Sequence, residues 1–382
     1  DNKDKKILNV PPLRFPEFTE EWKAEQLDNI ATLSKGIGIS KEQLSEDGEP
    51  CILYGELYTK YKSEIIKQVE SKTDINGSKL KRSKANDVII PCSGETAVDI
   101  ATARCVPFDN ILFGGDLNVI SLHQYDGAFM SYQLNGKRKY DIARVAQGVS
   151  IVHLYGEHLK AIKTYNPTLP EQQKIAKLLS LLDDRIDTQN KIIEDLKKLK
   201  SAISERLFKS VKGFTVLLSD LCDIVKGKQI NGENLSDSGN YYVMNGGTEP
   251  SGYYDNYNVE ASTISISEGG NSCGYVQFNT SPFWSGGHCY SIQNIADKVD
   301  NMYLYHYLKS NEDAIMKLRI GSGLPNIQKK DLAMFKIIVP KIEWQIKIST
   351  FLSSLERKAE IEERIQNVMQ KQKLYLLQQM FI

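Results

Sequence analysis

Two stretches of this chain, KIAKLLSLLDDR (174–185) and KISTFLSSLERK (347–358), are similar to each other and decide the architecture. Seven of their positions are identical or chemically alike at an offset of 173 residues. A proline and a Glu-x-Gln triplet precede each stretch, at Glu171–Gln173 and Glu343–Gln345. Aligning the triplets leaves one residue inserted before Lys347 in the second copy. Internal repeats dictate repeated structure, so the chain is predicted to be built twice.

The repeat continues outside these stretches. ATLSKG (31–36) parallels CDIVKG (222–227), and FGGDLNVI (113–120) parallels SGGHCYSI (285–292). Further matches pair Gly148, Leu159 and Pro167 with Gly321, Leu332 and Pro340. Leu- and Lys-rich helices can be alike by chance, but these glycine-containing matches lie elsewhere and keep their order. The predicted order is globular domain, helix, globular domain, helix.

Both repeated stretches lie in long amphipathic segments without an internal glycine or proline. In residues 171–208 a period of 3.5 residues selects a seam that is apolar at eight of ten positions: Ile175, Leu179, Leu182, Ile186, Gln189, Ile193, Leu196, Lys200, Ile203 and Leu207. Residues 343–381 keep this frame at both ends, but their middle slips toward Ile361, Ile365 and Val368. We expect an antiparallel pair of helices, the first spanning about 57 Å, with one domain at each end and a pseudo-two-fold axis.

The globular regions mix strand-like and helix-like runs, which predicts an α+β fold. VIIPC (88–92), LNVISL (117–122), STISIS (262–267) and YVQFN (275–279) are typical of strands. MSYQL (130–134), KYDIARVA (139–146) and MYLYHYLKSNEDAIMKL (302–318) are typical of short helices. The predicted boundaries are an arm (1–20), a first domain (21–166), a first helix (167–212), a second domain (213–338) and a second helix (339–382).

Composition narrows the function classes. The chain has 48 basic and 48 acidic side chains, and no apolar run is long enough to span a membrane. Residues 213–338 hold 9 Lys and Arg against 13 Asp and Glu, so no strongly basic clamp is present. The amino-terminal residues have no apolar signal core, and the six cysteines form no Cys-x-x-Cys pair. We expect a cytoplasmic protein with buried or incidental thiols.

The loops carry side chains that can contact nucleic-acid bases and phosphates. Lysine, arginine, asparagine and glutamine bond to base edges, and aromatic rings pack on bases. Each is also an ordinary surface residue type, so a solvated side chain is the alternative at every position. The candidates in the first domain are Lys35, Lys41, Tyr58, Lys60, Lys62, Lys79, Lys81, Arg82, Lys84, Lys137 and Arg138, with Lys139 beside them. Those in the second domain are Lys226, Lys228, Gln229, Asn231, Asn245, Thr248, Tyr253 and Asn271.

Motifs of common enzymes are absent from the sequence. It contains no phosphate loop of the G-x-x-x-x-G-K-[ST] type, no H-E-x-x-H and no G-x-S-x-G. The tetrapeptide at 166–169, NPTL, is not the one expected of an adenine methyltransferase. SEGGNSCG (267–274) is glycine-rich but lacks nucleotide-loop spacing, which favours a tight turn, and the five histidines are read as structural. We expect no catalytic residue, metal or cofactor in this chain.

The combination resembles the specificity subunits of type I restriction–modification enzymes. The resemblance spans almost the whole chain and is strongest in PEQQKIAKLLSLLDDRI (170–186), in its echo at 340–358 and in GYYDNYNVEASTISISEGGNSCGYV (252–276). It implies that each domain reads one half of a bipartite site in double-stranded DNA and that the helices set the spacer. It also implies partners: two modification subunits, which carry S-adenosylmethionine and methylate adenine, and restriction subunits.

Two other interpretations stay open at this stage. The chain could be a coiled-coil scaffold that binds proteins and no DNA, or an enzyme with an unfamiliar site. For the partner surface, Leu178, Leu181 and Phe351 are candidates because they lie off the helical seam. Burial within the recognition domains is their alternative.

Overall fold

The computed structural model describes residues 9–321 and 325–382, which form two compact units. One unit holds the chain up to Asn190 together with Ile365–Ile382, and the other holds Lys191–Arg364. The boundary therefore falls inside both long helices. Each unit combines small β-sheets with short helices, which confirms the α+β class.

The first unit is built from short strands and helices that precede the first long helix. Its strands are β1 (Lys23–Gln26), β2 (Ala31–Lys35), β3 (Leu44–Ser45), β4 (Glu49–Ile52), β5 (Ser71–Thr73), β6 (Lys81–Arg82), β7 (Asp87–Pro91), β8 (Ser93–Gly94), β9 (Arg104–Val106), β10 (Leu112–Phe113), β11 (Leu117–Leu122), β12 (Val152–His153) and β13 (Lys163–Asn166). Its helices are α1 (Leu27–Ile30), α2 (Glu56–Thr59), α3 (Ala97–Ile100), α4 (Gly127–Asn135), α5 (Lys139–Val145), α6 (Gly156–Lys160) and the start of α7 (Leu169–Ser210).

The central sheet of this unit has the order β2-β11-β7-β9 and is antiparallel. Strand β7 is buried along its whole length because both faces are covered. Val88 and Ile90 pack into one apolar cluster with α4 and α5, while Ile89 packs into another cluster with Phe113. Burial on both faces explains why this segment reads as a continuous apolar run instead of alternating.

The second unit repeats the design with fewer elements. Its strands are β14 (Phe214–Leu217), β15 (Asp223–Lys226), β16 (Tyr241–Met244), β17 (Tyr253–Tyr254), β18 (Thr263–Ser267), β19 (Val276–Asn279), β20 (Trp284–Ser285), β21 (Cys289–Gln293) and β22 (Lys336–Val339). Its helices are α8 (Asn301–Ser310), α9 (Glu312–Met316), α10 (Lys329–Ala333) and the start of α11 (Ile342–Gln379).

The two units share one chain trace through their central elements. The order β15-β21-β18-β19 reproduces β2-β11-β7-β9, and the pair β14·β22 reproduces β1·β13. Gly148 and Gly321 both have a positive φ, +124° and +99°, which glycine adopts readily. Leu159 in α6 and Leu332 in α10 are both fully buried. The internal repeat inferred from the sequence is confirmed at these positions.

The long helices keep one seam throughout. None of the ten predicted seam positions of α7 is exposed, which confirms that frame. The predicted slip in the middle of α11 is wrong: Ile361, Ile365 and Val368 are 46%, 38% and 65% exposed. Glu362 and Gln366 are half-buried in the original frame instead. Periodicity of apolar residues misled here because the seam continues through polar side chains.

In each unit the two long helices contact each other and run antiparallel. In the first unit, Ile175 and Leu179 of α7 share a core with Leu377 and Met380 of α11. In the second unit, Phe208 shares a core with Ile348 and Leu352. Lys197 also pairs with Glu363 at 2.6 Å. Within each unit, later residues of α7 meet earlier residues of α11.

Candidate nucleic-acid interface and helix anchors

One glutamine anchors the start of each long helix to its globular domain. Gln172 donates to the Pro167 carbonyl (2.8 Å), and its Oε1 accepts from the amide of Asp126 (2.9 Å), which caps α4. Gln345 makes the same two bonds, to Pro340 and Asp300, at 2.8 Å each. The equivalent residues are therefore Gln172 and Gln345. The alignment of the Glu-x-Gln triplets was wrong, no insertion is needed, and Trp344 stands in place of Glu171.

A buried ion-pair cluster fixes the end of α11 to the first unit. Lys373 contacts Glu64 at 2.5 Å and Asp183 at 2.7 Å, and these carboxylates are 9% and 5% exposed. The Tyr132 hydroxyl donates to Asp183 at 2.7 Å. Burial alone lowers the pKa of Lys373, but the two carboxylates raise it above its ordinary value. Burial and the neighbouring Asp183 raise the pKa of Tyr132, so both donors keep their protons.

The second unit carries a simpler copy of this cluster. Lys200 pairs with Glu356, and the offset of 173 residues relates Lys200 to Lys373 and Asp183 to Glu356. The Tyr305 hydroxyl donates to Glu356 at 3.2 Å. Beside them, His306 is 2% exposed and shares a hydrogen bond of 2.9 Å with Ser353, and burial lowers its pKa to about 4. This histidine is structural, as expected from the sequence.

The amino-terminal arm covers the start of α7 in the first unit. Arg14 forms two bonds of 2.7 Å with Glu171, whose side chain is 1% exposed. Trp22 adds a third donor to Glu171 at 3.2 Å. Residues 9–20 of the predicted loose arm are thus ordered, while residues 1–8 lie outside the described residues. At the equivalent place in the second unit, Trp344 is 59% exposed.

Many predicted base-contacting residues of the first domain already have partners inside the protein. The pairs are Tyr58 with Ser93 (2.9 Å), Lys60 with Glu56 (2.7 Å), Lys62 with the Tyr58 carbonyl (3.0 Å), Arg82 with Glu49 (2.6 Å) and Arg138 with the Ile382 carbonyl (2.9 Å). Of these, Lys60 and Lys62 are nevertheless exposed to solvent. Lys35, Lys41, Lys79, Lys84 and Lys137 are exposed, and Lys81 is half-buried.

In the second domain, several candidates meet at the turn 285–288, between β20 and β21. The amide of Lys228 donates to the Ser285 carbonyl at 2.8 Å, and Asn245 Oδ1 accepts from the amide of His288 at 3.1 Å. Gln229 lies against Gly287. Within the described chain, no hydrogen bond joins the other candidates to this turn. Asn231, Thr248 and Asn271 are exposed, and Tyr253 is half-buried in β17.

Two residues beside this turn, Glu268 and Tyr290, were not among the candidates from the sequence. Together with Lys226 and His288 they form the corner of the second unit. Lys226 Nζ contacts Oε1 of Glu268 at 2.6 Å, and the Tyr290 hydroxyl donates to the same oxygen at 3.1 Å. The other oxygen, Oε2, is buried and has no hydrogen-bond partner in the described part of the chain. His288 Nδ1 lies 3.9 Å from it. Glu268 lies in the motif SEGGNSCG and Tyr290 in the motif SGGHCYSI. Neither motif had pointed to an acceptor, because the candidates were hydrogen-bond donors and amides.

The two Lys-Gly pairs, one in each unit, have a steric cause. A Cβ on Gly36 would lie 1.9 Å from the Gly114 carbonyl oxygen, and one on Gly227 would lie 2.1 Å from that of Gly286. Glycine is therefore required where β2 and β15 approach the two Gly-Gly turns. The preceding lysines, Lys35 and Lys226, are placed alike at the ends of these strands, and Lys35 lies 5.6 Å from the centre of the Tyr155 ring.

Other chemistry is sparse in the described residues. All six cysteines are buried free thiols, as predicted, and burial raises the pKa of Cys92 and Cys289 to about 11. Within residues 9–321 and 325–382, no group of His, Cys, Asp and Glu side chains is arranged to hold a metal ion. Over the same residues, no helix is long and apolar enough to cross a membrane.

Comparison with known families gives a match over most of the chain. The family described as "Type I restriction modification DNA specificity domain" matches twice, at residues 19–198 and 213–371. The chain is similar to a putative type I specificity subunit of Mycoplasma genitalium, with 34% identity over 122 residues. That match covers 31% of each chain, so it spans about a third of the length of this relative.

Two further comparisons extend over nearly the whole length. The specificity subunit of the type I restriction enzyme MjaVIII from Methanocaldococcus jannaschii is 24% identical, over 97% of this chain and 94% of that one. The crystal structure of a type I restriction–modification S subunit from M. genitalium superposes with a TM-score of 0.69 at 20% identity. It covers 98% of this chain and 99% of that chain, so the fold is shared end to end.

Proposed function

Because the chain belongs to the type I restriction–modification DNA specificity family, as a non-catalytic subunit, we propose that it reads a bipartite sequence in double-stranded DNA. Residues 21–166 form one recognition domain and residues 213–338 the other, each reading one half-site. Residues 167–212 and 339–382 form the helical spacer, and residues 1–20 form the arm. Catalysis belongs to partner subunits: modification subunits methylate adenine and restriction subunits cleave the DNA. The complex acts in the cytoplasm.

The observation that supports this proposal best is the duplicated corner at the ends of the central sheet. Lys35 and Lys226 occupy equivalent positions, each followed by a glycine packed against a Gly-Gly turn. The surrounding residues differ between the two copies. Two domains that recognise different half-sites require the same backbone arrangement with different side chains, since base contacts carry the sequence information.

The near-neutral charge also fits a subunit that works with partners. Phosphate contacts dominate DNA affinity and need many Lys and Arg side chains. The candidates for such contacts are the exposed lysines of the first domain, above all Lys79 and Lys84 beside β6, and Lys228 of the second. Since these are few, we propose that the modification subunits complete the positive surface around the duplex.

The partners are proposed to dock on the exposed apolar side chains of the long helices. Leu178, Leu181 and Phe351 are 37%, 51% and 46% exposed, so burial within the recognition domains is ruled out for them. Ile365 and Val368 add exposed apolar surface on α11. Apolar side chains off the seam have no role in pairing the two helices, which favours a role in contact with another subunit.

The direct test uses the full chain purified with its modification subunit. We expect binding that is selective for one bipartite sequence and that weakens with salt, and adenine methylation in both half-sites by methylome sequencing. Sequence-independent binding, or none, would favour a coiled-coil scaffold. Methylation or cleavage by the chain alone would favour an enzyme with an unfamiliar site.

A second experiment tests the division of labour. Residues 213–338 are replaced by the corresponding domain of a subunit with another known target. We expect one half-site of the methylated sequence to change while the other half-site and the spacer stay the same. A change in both half-sites would show that the domains do not read independently.

A further inference from the structure

We propose that Glu268 and Lys226 together read one G·C base pair, with Oε2 of Glu268 accepting from the amino group of cytosine and Lys226 donating to guanine. This inference rests on the proposed function, because it assigns a specificity-determining contact within the half-site of residues 213–338. It goes beyond that function by naming the residue, the atom and the base.

The two oxygens of the Glu268 carboxylate differ in their hydrogen bonds. Its side chain is 9% exposed, and Oε1 already holds two donors, Lys226 Nζ and the Tyr290 hydroxyl. Oε2 is buried and unpartnered in the described residues. Buried carboxylate oxygens are nearly always hydrogen-bonded, because removing them from water without a donor is unfavourable. A donor supplied from outside the protein would complete this group.

The surroundings of Oε2 leave a route for such a donor. His288, whose Nδ1 lies 3.9 Å from Oε2, is 63% exposed, and Lys226 is 54% exposed. Exposed side chains of this kind can move aside. Gly269 and Gly270 follow Glu268 in sequence, and a Cβ on Gly270 would meet no atom within 4 Å. Open space therefore lies at Gly270, two residues after Glu268 in sequence, and movement of the exposed His288 and Lys226 side chains would uncover Oε2 for a base edge.

The chemistry of the pair selects the base. A carboxylate accepts only, and an ammonium donates only, so the corner presents one acceptor beside one donor. In the major groove, the cytosine N4 amino group is a donor and guanine O6 and N7 are acceptors. Carboxylates characteristically accept from cytosine N4, and lysine characteristically donates to guanine. Lys226 has three protons, so it can contact guanine while it still holds Oε1.

The first unit lacks this pair, which restricts the effect to one half-site. There Cys92 follows β7 as Glu268 follows β18, and its amide bonds to the Asp116 carbonyl as that of Glu268 bonds to the His288 carbonyl (2.7 and 2.9 Å). The lysine is kept as Lys35. A neutral, buried thiol cannot replace a carboxylate acceptor, so Cys92 is the natural control position.

The experiment uses the full chain with its modification subunit. The DNA duplexes carry the target sequence that methylome sequencing identifies. In each duplex, one cytosine of the second half-site is replaced by 2-pyrimidinone, which pairs with guanine but lacks the N4 amino group. We expect one such replacement to weaken wild-type binding about tenfold. The same replacement should leave the binding of Glu268→Ala unchanged. It should also leave the isosteric Glu268→Gln unchanged, because the amide oxygen stays with Lys226 and Tyr290 and the NH2 group, a donor, takes the place of Oε2. Cys92→Ser should behave as wild type.

The outcomes separate this inference from the function beneath it. If wild-type protein reads a bipartite sequence but no cytosine replacement weakens it, or Glu268→Gln stays as sensitive as wild type, the inference is overturned and the proposed function stands. If loss of the amino group of an adenine, and not of a cytosine, weakened the binding of the wild type but not of Glu268→Ala, the cytosine assignment would be overturned. Absence of any sequence-selective binding by the wild-type complex would overturn both.

Discussion

Lys373 offers the sharpest test of how the helices are held, because the repeat supplies its own control. Replacing Lys373 by methionine keeps most of the apolar stem but removes the ammonium; Asp183 retains the Tyr132 hydroxyl as a donor, while the buried carboxylates of Glu64 and Asp183 lose the cation that bonds them. These are 9% and 5% exposed, and Lys373 itself is 17% exposed. Removing one partner of a buried ion pair costs about 3–5 kcal/mol.

The equivalent substitution in the second unit is Lys200→Met. Its single partner, Glu356, is 26% exposed, and Lys200 is 22% exposed. An ion pair closer to solvent contributes about 1 kcal/mol or less. The two variants remove the same group at equivalent positions, so the difference of at least about 2 kcal/mol is due to burial and to the second carboxylate.

Hydrogen exchange along the carboxyl-terminal part of α11 is the appropriate measurement, since it reports opening of that segment separately from the rest of the chain. For Lys373→Met we expect protection to fall at least about a hundredfold, and for Lys200→Met we expect the equivalent part of α7 to lose less than about tenfold. Equal losses would refute the reasoning. The raised pKa adds a pH test: the stabilisation by Lys373 is present below the pKa of a free lysine and is lost as pH rises through the folded value.

The remaining predictions concern single contacts and the spacer. Arg14→Ala should cost about 3 kcal/mol and loosen the arm, measured as lost exchange protection in residues 9–22, because Glu171 is left buried with one donor. Gly227→Ala should destabilise the second unit by at least about 1–3 kcal/mol in urea unfolding, whereas Gly232→Ala, with open space at its Cβ, should not. Since burial lowers the pKa of His306 to about 4, this histidine should lower the stability of the second unit by about 1.4 kcal/mol per pH unit as pH drops from 6.5 toward 4, and His306→Gln should remove that part of the slope. One heptad inserted in each helix, after residues 190 and 364, adds about 10 Å and should lengthen the spacer in the methylated sequence by about three base pairs; an unchanged spacer would refute the spacer role.

The candidate site shows where sequence reasoning stopped. Residue type alone identified Lys226, Gln229 and Asn245 as candidates. It does not distinguish Gln229 and Asn245, which meet the turn 285–288, from Asn231 and Thr248, which do not. Glu268 was not a candidate, because an acidic residue in a turn has no sequence pattern that marks it as a base contact. Only the position of that carboxylate, bonded on one oxygen and bare on the other, distinguishes it from other acids.

The sequence by itself determined the duplication, the α+β class, the seam of α7 and both ends of the seam of α11. These properties depend on periodicity and on an offset between copies, which are written along the chain. It did not determine that the seam of α11 runs through Glu362 and Gln366, or that Gln345 corresponds to Gln172. Those were decided by tertiary structure, because a polar side chain enters a core only when a distant segment supplies its hydrogen-bond partner. No local pattern records where that partner is.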